Sequence, residues 1–169
     1  MRKLLLIIVC FYSVLVSAQE NSLTNKLYLN VTTDVTTESK GFTSYGADFQ
    51  LGYKFIPSLY AFATFNGSLS LYDKDGVKDH IKTTNLGGGL GYRLSPNDNT
   101  SCCFDIKTSV SVSVGNVDWK NTTYEAGVFC RFTSKGLAPQ LGLGYRYQDS
   151  HTAVVSSRGC IFASLGFSL

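Results

Sequence analysis

The most regular pattern in the chain is an alternation of apolar and polar residues over Tyr45-Gly46-Ala47-Asp48-Phe49-Gln50-Leu51-Gly52-Tyr53-Lys54-Phe55. Apolar or aromatic side chains occupy every second position, and glycine, acidic, amide or basic residues stand between them. Because successive side chains of a β-strand point to opposite faces of a sheet, this period of two predicts a strand with one apolar and one polar face.

The same alternation recurs in seven other segments of the chain, with apolar rows inside residues 27–35, 59–71, 84–94, 102–114, 124–132, 141–147 and 161–169. Turn-forming residues cluster at 57–58, 95–99 and 134–136, and the charged stretch 73–79 is predicted to be a loop. Each strand is expected to have about 9 to 12 residues, the length that a tilted strand needs to cross a bilayer. The predicted fold class is all-β, an up-and-down antiparallel barrel of eight strands.

The polar rows indicate which face points inward. They carry many glycines and a set of charged residues, namely Asp48, Lys54, Arg93, Asp105, Lys107, Glu125, Arg131, Arg146 and Arg158. On a soluble barrel these charges would be solvated, but glycine weakens strands and suits an exposed surface poorly. In a membrane barrel, glycine makes room for long Arg and Lys side chains that pair with Asp and Glu, because an unpaired buried charge is costly. We therefore favour a transmembrane barrel with a charge network in its lumen.

The first residues have the layout of a secretory signal peptide. A positive segment at 1–3 precedes an apolar run at 4–16, and Val16-Ser17-Ala18 supplies the small residues of a cleavage site. A transmembrane anchor is the alternative, but the run is shorter than the roughly 20 residues that span a bilayer. We expect a signal peptide at 1–18 and one barrel domain at 19–169. The formal net charge is only +3, and the chain has no stripe of basic residues. Nucleic acid is therefore not expected as a partner.

The connections between the predicted strands alternate in length. Those near 57, 95 and 135 are short, whereas those near Glu38, Asp75, Asp118 and Ser150 are generally longer and more polar. With an even number of strands, both termini and the short turns fall on the periplasmic side, and the four loops face outward. Trp119, in the third of these loops, is either an interfacial anchor or a contact for a ligand, and we favour the anchor.

Four cysteines follow the predicted leader: Cys102, Cys103, Cys130 and Cys160. Their spacing is not that of a zinc site, since no CxxC pair or nearby histidine accompanies them. We favour their interpretation as small, half-buried strand residues. Disulfides are allowed in an exported protein, and if any pair bonds, we expect Cys102 with Cys130, because both should lie outward on neighbouring strands.

Three segments carry a resemblance to a known family: residues 45–55, Leu86-Gly87-Gly88-Gly89-Leu90-Gly91-Tyr92-Arg93-Leu94 and Ile161-Phe162-Ala163-Ser164-Leu165-Gly166-Phe167-Ser168-Leu169. The chain resembles the small outer-membrane β-barrels of Gram-negative bacteria that include the OmpA transmembrane domain, OmpX and Ail-type proteins. This implies an outer-membrane location, contact with outer-membrane lipid and lipopolysaccharide, and recognition by the barrel-assembly machinery. That machinery reads a final strand that usually ends in Phe, where this chain has Leu169. Gln19 resembles an export signal of Bacteroidota.

No residue pattern resembles a strong catalytic motif. Asp149-Ser150-His151 has the residue types that some barrel enzymes acting on lipid A use, but a triad is assembled in space, so a solvated loop is favoured. The stretch 73–79 lacks the ligand spacing of a calcium loop. We expect a non-enzymatic barrel without cofactor or metal, with a lumen plugged by interleaved charges and loops that serve envelope structure or surface interaction. A narrow channel for small solutes and a lipid A-modifying enzyme are the alternatives.

Overall fold

The structure is a computed structural model that describes residues 26–74, 77–94, 102–132, 136–152 and 155–169. The predicted signal peptide at 1–18 and the predicted turn residues at 95–99 and 134–135 lie outside these ranges. Within them, no helix is long and apolar enough to cross a membrane.

The described chain forms eight antiparallel strands, which are β1 (Leu27–Thr36), β2 (Phe42–Ile56), β3 (Leu59–Lys74), β4 (Val77–Arg93), β5 (Cys103–Ser113), β6 (Asn121–Arg131), β7 (Ala138–Ser150) and β8 (Arg158–Ser168). Each strand pairs with the next along the chain, and β8 pairs with β1, so the sheet closes into a barrel. The predicted eight-stranded up-and-down barrel is confirmed. Closure leaves no open sheet edge, which is what a sheet inside hydrocarbon requires.

The two faces of the barrel wall differ as the alternation predicts. On β5, the side chain of Ile106 points outward and the residue is 46% exposed, whereas its neighbour Asp105 points inward and is 1% exposed. The outward rows of the other strands include exposed apolar residues such as Val31, Leu51, Phe65, Leu90, Val128, Leu143 and Leu165. The prediction that the polar rows point inward is confirmed, and the wall has the polarity of a barrel surrounded by lipid.

Four strands are longer than the sequence pattern indicates. β2, β3, β4 and β7 have 15, 16, 17 and 13 residues, and β3 and β4 continue as a hairpin beyond the other strands. The prediction of a loop over 73–79 was wrong, because Asp73 pairs with Lys78 and Lys74 pairs with Val77. Strand pairing is made by backbone hydrogen bonds, so a charged composition did not prevent it.

A disulfide joins Cys102 to Cys130, with their Cα atoms 6.5 Å apart. Cys102 precedes β5, and Cys130 lies opposite Phe104 on β6, so the two side chains share the outer face of neighbouring strands. The interpretation as unbonded strand residues was wrong for this pair, and the pairing expected for a bonded pair is confirmed. Cys103 and Cys160 are buried and lie outside the disulfide.

Candidate functional site

The inward rows of the eight strands meet in the lumen, which is the candidate functional site. We call its two ends the turn end, where residues 56–59 connect β2 to β3, and the loop end, where residues 114–120 connect β5 to β6. The nine charged residues predicted to lie in the lumen occur at both ends and between them. Their surroundings differ from one residue to the next.

At the turn end, Arg93 and Asp105 form a two-pronged ion pair across the β4–β5 register. Arg93 Nε lies 2.9 Å from Asp105 Oδ1, and Arg93 Nη2 lies 3.1 Å from Asp105 Oδ2. The hydroxyl of Tyr60 also donates to Asp105 Oδ2, at 3.0 Å. Bidentate pairs of this kind are strong and fix orientation, so the Asp105 carboxylate is held by three donor atoms.

In the middle of the lumen, Arg146 bridges two carboxylates on different strands. Its Nε lies 2.6 Å from Glu125 Oε1, and its Nη1 lies 2.8 Å from Asp34 Oδ1. Glu125 is directly opposite Arg146 in the β6–β7 register, but Asp34 belongs to β1, on the far side of β8. Asp34 was absent from the predicted charge network. Its place in the polar row of β1 was the sequence signal that could have added it.

Asp48 accepts hydrogen bonds from neutral donors, and no basic residue in the described part of the chain lies within ion-pair distance of it. Thr64 Oγ1 and Gln50 Nε2 each donate to this carboxylate at 2.5 Å. Gln50 in turn accepts hydrogen bonds through Oε1 from Tyr28 at 2.9 Å and from Asn30 at 3.1 Å. These hydrogen bonds link polar side chains of β1, β2 and β3, and the donors that Asp48 accepts from are neutral.

Lys107 and Arg131 lie near the turn end without a carboxylate partner among the described residues. The Lys107 ammonium lies 4.1 Å from the centre of the Phe129 ring and 5.2 Å from that of Tyr28. Arg131 Nη2 donates to the carbonyl oxygen of Gly136 at 2.5 Å. Aromatic faces attract cations through the ring quadrupole, so the two rings offset part of the cost of burying the Lys107 ammonium, which has no hydrogen-bond partner among the described residues.

Arg158 lies at the loop end between two aromatic rings. The centre of its guanidinium is 4.3 Å from the Phe42 ring and 4.6 Å from the Trp119 ring. Its nitrogens donate to Gln148, Ser44 and Ser70 at 2.9 to 3.1 Å, the last two sharing Nη2.

The expectation that all the lumen cations pair with Asp or Glu was wrong. Among the described residues, only Arg93 and Arg146 of the predicted set have a carboxylate within 4.0 Å. Lys54 is half-buried on the inward face of β2, and its charged neighbours are Arg93, Arg131 and Asp105. Rings, amides, hydroxyls and a backbone carbonyl take the place that the sequence argument gave to acidic residues.

The glycines of the inward rows make room for aromatic rings rather than for Arg and Lys. A Cβ atom added at Gly91 would meet the Tyr60 ring, and one added at Gly142 would meet the Phe129 ring. The rings of Phe62 and Phe162 cover Gly89 and Gly144 in the same way. Each ring thus packs directly against the backbone of a glycine, in the space that a Cβ atom would fill. The expectation that these glycines make room for Arg and Lys side chains was wrong.

Trp119 closes the loop end of the lumen. It is fully buried and packs with Ile81 and Val155, against which Phe42 and Tyr72 also pack. Its Nε1 donates to Ser150 Oγ at 2.9 Å. The interpretation of Trp119 as an interfacial anchor was therefore wrong. The indole N–H finds its hydrogen-bond acceptor inside the protein, as is usual for a buried tryptophan.

The residues Asp149, Ser150 and His151 do not assemble into a triad. The Asp149 carboxylate accepts from Ser157 at 2.9 Å, and Ser150 Oγ accepts from Trp119. His151 Nε2 lies 2.8 Å from Thr122 Oγ1. In the described part of the chain, no group of three or more His, Cys, Asp or Glu residues is arranged to hold a metal ion.

The sequence matches no family model and no curated protein. Among solved structures, the outer membrane enzyme PagL superposes with a TM-score of 0.53 at 10% identity, over 83% of this chain and 98% of PagL. The N-terminal β-barrel domain of Pseudomonas aeruginosa OprF matches with a TM-score of 0.49 at 10% identity, over 86% and 98% of the two chains. A de novo designed transmembrane β-barrel gives 0.49 at 16% identity, over 85% and 93%.

At these identities, the likeness shows a shared fold and leaves activity to be argued from this chain's own residues. The eight antiparallel strands close into a barrel, and the outer wall of this barrel is apolar. The chain has the closed, eight-stranded fold of the small outer-membrane β-barrels.

Proposed function

We propose that the protein is a non-enzymatic barrel of the outer membrane of a Gram-negative bacterium, with a closed lumen and outward loops that serve envelope structure or surface interaction. It reaches that membrane through a cleaved signal peptide at 1–18, and the barrel-assembly machinery inserts it among outer-membrane lipid and lipopolysaccharide. The exposed apolar outer rows support insertion, because this much exposed apolar surface suits hydrocarbon and not water.

The packing of side chains across the lumen carries the proposal of a closed barrel. Tyr28 stacks on Tyr60 with 4.3 Å between ring centres, and Phe62 lies 5.8 Å from Tyr28. Phe129 and Phe162 lie 6.3 Å apart on the other wall. An eight-stranded barrel has an interior just wide enough for side chains, so we expect these rings and the Arg146 bridge to block a continuous water-filled path for ions.

Conductance tests this proposal against the alternative of a narrow channel. Purified protein refolded into planar bilayers is expected to give no stable single-channel steps. A variant in which Phe62, Phe129 and Phe162 are all replaced by Ala removes one of the three rings on one wall and both rings on the other, and it is expected to conduct. The unboiled protein should migrate faster on a gel than the boiled protein, which shows that each sample is folded. Stable steps from the folded native protein would refute the closed lumen.

The proposed location and the absence of enzyme activity have separate tests. Fractionation of expressing cells should recover the mature chain with the outer membrane, and its mass should correspond to a chain starting at Gln19. Mass spectrometry of lipid A is expected to give the same profile from cells with and without the protein, since Asp149, Ser150 and His151 bind three different partners. A lipid A species that depends on the protein would establish the enzyme alternative instead.

A further inference from the structure

Most of the buried polar atoms that lack a hydrogen-bond partner in the described part of the chain lie together at the turn end of the lumen. They are Asn30 Oδ1, Lys107 Nζ, Arg131 Nε, Ser168 Oγ and both amide atoms of Gln140. The five residues that carry these atoms are at most 3% exposed. Because a buried polar group without a partner is costly, this concentration indicates that a bound molecule completes the hydrogen bonds.

The strand register makes these residues neighbours in the closed sheet. Arg131 on β6 lies opposite Gln140 on β7. Ser168 on β8 lies opposite Asn30 on β1, and it is two residues along β8 from the partner of Gln140. The residues with unpartnered atoms therefore form a continuous band over β6, β7, β8 and β1.

Lys107 reaches the same band from β5. Its ammonium lies 4.1 Å from the centre of the Phe129 ring, and Phe129 is the inward residue next to Arg131 on β6. Inward residues that follow one another on a strand are about 7 Å apart, so the ammonium lies one step deeper in the lumen than Arg131. An ammonium group and a guanidinium Nε only donate hydrogen bonds. Both atoms therefore need an acceptor that the described residues do not provide.

The charges at the turn end point to an anion as that acceptor. Four cations are neighbours there, namely Lys54, Arg93, Lys107 and Arg131. Of the two carboxylates near them, Asp105 is already held by Arg93, and the deeper Asp48 accepts from neutral donors. Among the described residues, the terminal carboxylate of Leu169 forms no ion pair with any of the four cations. Water would complete hydrogen bonds but leave the excess of buried cations, whereas an anion offsets both costs.

We propose that the turn end of the lumen binds a phosphate-type oxyanion through Lys107 Nζ, Arg131 Nε and Gln140 Nε2. Hydrogen bonds from cationic donors to such oxygens are among the strong ones, and the amide adds a neutral donor beside the guanidinium. Lys54, which is half-buried at the same end, adds positive charge that attracts an anion entering there. Free phosphate and a phosphomonoester share this chemistry. Binding at this end needs no path to the loop end, so it goes beyond the closed lumen and does not depend on it.

Isothermal titration calorimetry of the mature, folded protein in neutral detergent tests the proposal. Inorganic phosphate is titrated at an ionic strength held constant with chloride, and it is expected to bind saturably at one site per barrel. Glycerol 3-phosphate is titrated in parallel: weaker binding than that of phosphate assigns the site to free phosphate, and equal or tighter binding assigns it to a phosphomonoester. The gel shift of the unboiled sample verifies folding, so a failure to bind is distinguishable from a failure of the barrel. Absence of saturable binding of both compounds to the folded native protein would overturn the proposal in favour of water alone.

Two substitutions each remove one cationic donor from the site. Arg131→Met and Lys107→Met should weaken phosphate binding by about ten- to one-hundred-fold, as expected for a buried hydrogen bond to a charged group. Arg158→Met is the matched control, because it removes an equally buried cation from the loop end and should leave the affinity unchanged. An affinity that Arg131→Met and Lys107→Met leave unchanged, or an equal loss in Arg158→Met, would overturn the proposal.

A stability measurement gives an independent readout of the same site. Without phosphate, Lys107→Met should unfold at the same urea concentration as the native protein or at a higher one, since it removes a buried charge that has no partner. Saturating phosphate should raise the urea midpoint of the native protein and leave that of Lys107→Met almost unchanged, because a ligand stabilises only the folded state that binds it. A native midpoint that phosphate does not move would count against the site.

Discussion

Arg146 Nη1 lies 2.8 Å from Asp34 Oδ1 although these residues belong to β7 and β1, with β8 between them. Both side chains are buried. The contact therefore spans part of the lumen and joins strands that share no backbone hydrogen bonds.

Removing the carboxylate of Asp34 should destabilise the barrel. Asp34→Ala removes the acceptor of Arg146 Nη1 and leaves Arg146 paired with Glu125 alone, and loss of a buried hydrogen bond to a charged group costs about 1.5 to 3 kcal/mol. The free energy of unfolding, measured by urea titration in lipid vesicles, is expected to fall by that amount. Asp118→Asn, at an exposed residue of the β5–β6 loop, should have almost no effect. A variant at position 34 as stable as the native protein would show that the cross-lumen contact contributes nothing.

Because the Tyr60 ring packs against Gly91, replacing a glycine by alanine should destabilise the protein at position 91 but not at every glycine. A Cβ added by Gly91→Ala would meet the Tyr60 ring, while one added by Gly67→Ala meets nothing within 4 Å. Overpacking of this kind costs about 1 to 3 kcal/mol, so Gly91→Ala should lower the free energy of unfolding by that amount and Gly67→Ala should not. Truncation of the ring by Tyr60→Leu in the Gly91→Ala background should recover part of the loss. Equal effects at positions 67 and 91 would contradict the account of the lumen.

Trp119 is the single tryptophan of the chain, so its fluorescence reports on the loop end of the lumen. Because the indole is buried among protein side chains, neither aqueous acrylamide nor brominated lipid should quench its emission appreciably. Ser150→Ala removes the acceptor of the indole N–H and should change the emission wavelength. Strong quenching by brominated lipid would instead place the indole in the membrane interface.

The cysteines should divide into two classes in a labelling experiment on the mature, folded protein. Cys103 and Cys160 are buried, and Cys102 and Cys130 are bonded to each other, so a thiol reagent should label none of the four. Unfolding alone should expose two thiols, and unfolding with a reductant should expose four. The bond closes a loop over a sequence separation of 28, and its loss in a Cys102→Ser, Cys130→Ser variant should cost about 3 kcal/mol. Two reactive thiols in the folded protein would contradict the assigned pairing.

The projecting ends of β3 and β4 should respond to pH. The backbone N–H of His80 and the hydroxyl of Tyr72 hold the pKa of Asp79 below its usual value, and donation to Asp79 raises the pKa of Tyr72. A lowered carboxyl pKa stabilises the folded hairpin above the carboxyl's unfolded pKa, and this contribution is lost as the pH falls through the folded value. NMR titration should therefore show the Tyr72–Asp79 contact opening in acid. Asp79→Asn should return the pKa of Tyr72 toward the usual value for tyrosine, and an unchanged Tyr72 pKa would refute the contact.

The alternation of the sequence was sufficient to predict the strands and the direction in which each row points. A period of two is a local property, so Asp105 and Ile106 could be assigned to opposite faces without knowledge of any neighbour. The pairing of residues 73–74 with 77–78 was missed because strand pairing depends on the partner strand, and a charged segment gives no apolar signal of it.

The contacts inside the lumen could be predicted only in part. Which charge meets which partner depends on the stagger of the strands around the closed barrel, and this stagger brings Asp34 to Arg146 and leaves Lys107 over Phe129. Trp119 sits in a loop, where no periodicity indicates its direction. Its burial results from rings and aliphatic side chains contributed by other strands and connections, including Ile81 and Val155.

The disulfide between Cys102 and Cys130 constrains the alignment of β5 with β6 as well as their separation. If β6 slid by one residue, all of its side chains would exchange faces and Cys130 would turn toward the lumen, away from Cys102. The bond is compatible with the native alignment and excludes that slipped one. Formation of this bond therefore fixes the apolar and the polar rows of the β5–β6 hairpin on their native faces, independently of the other six strands.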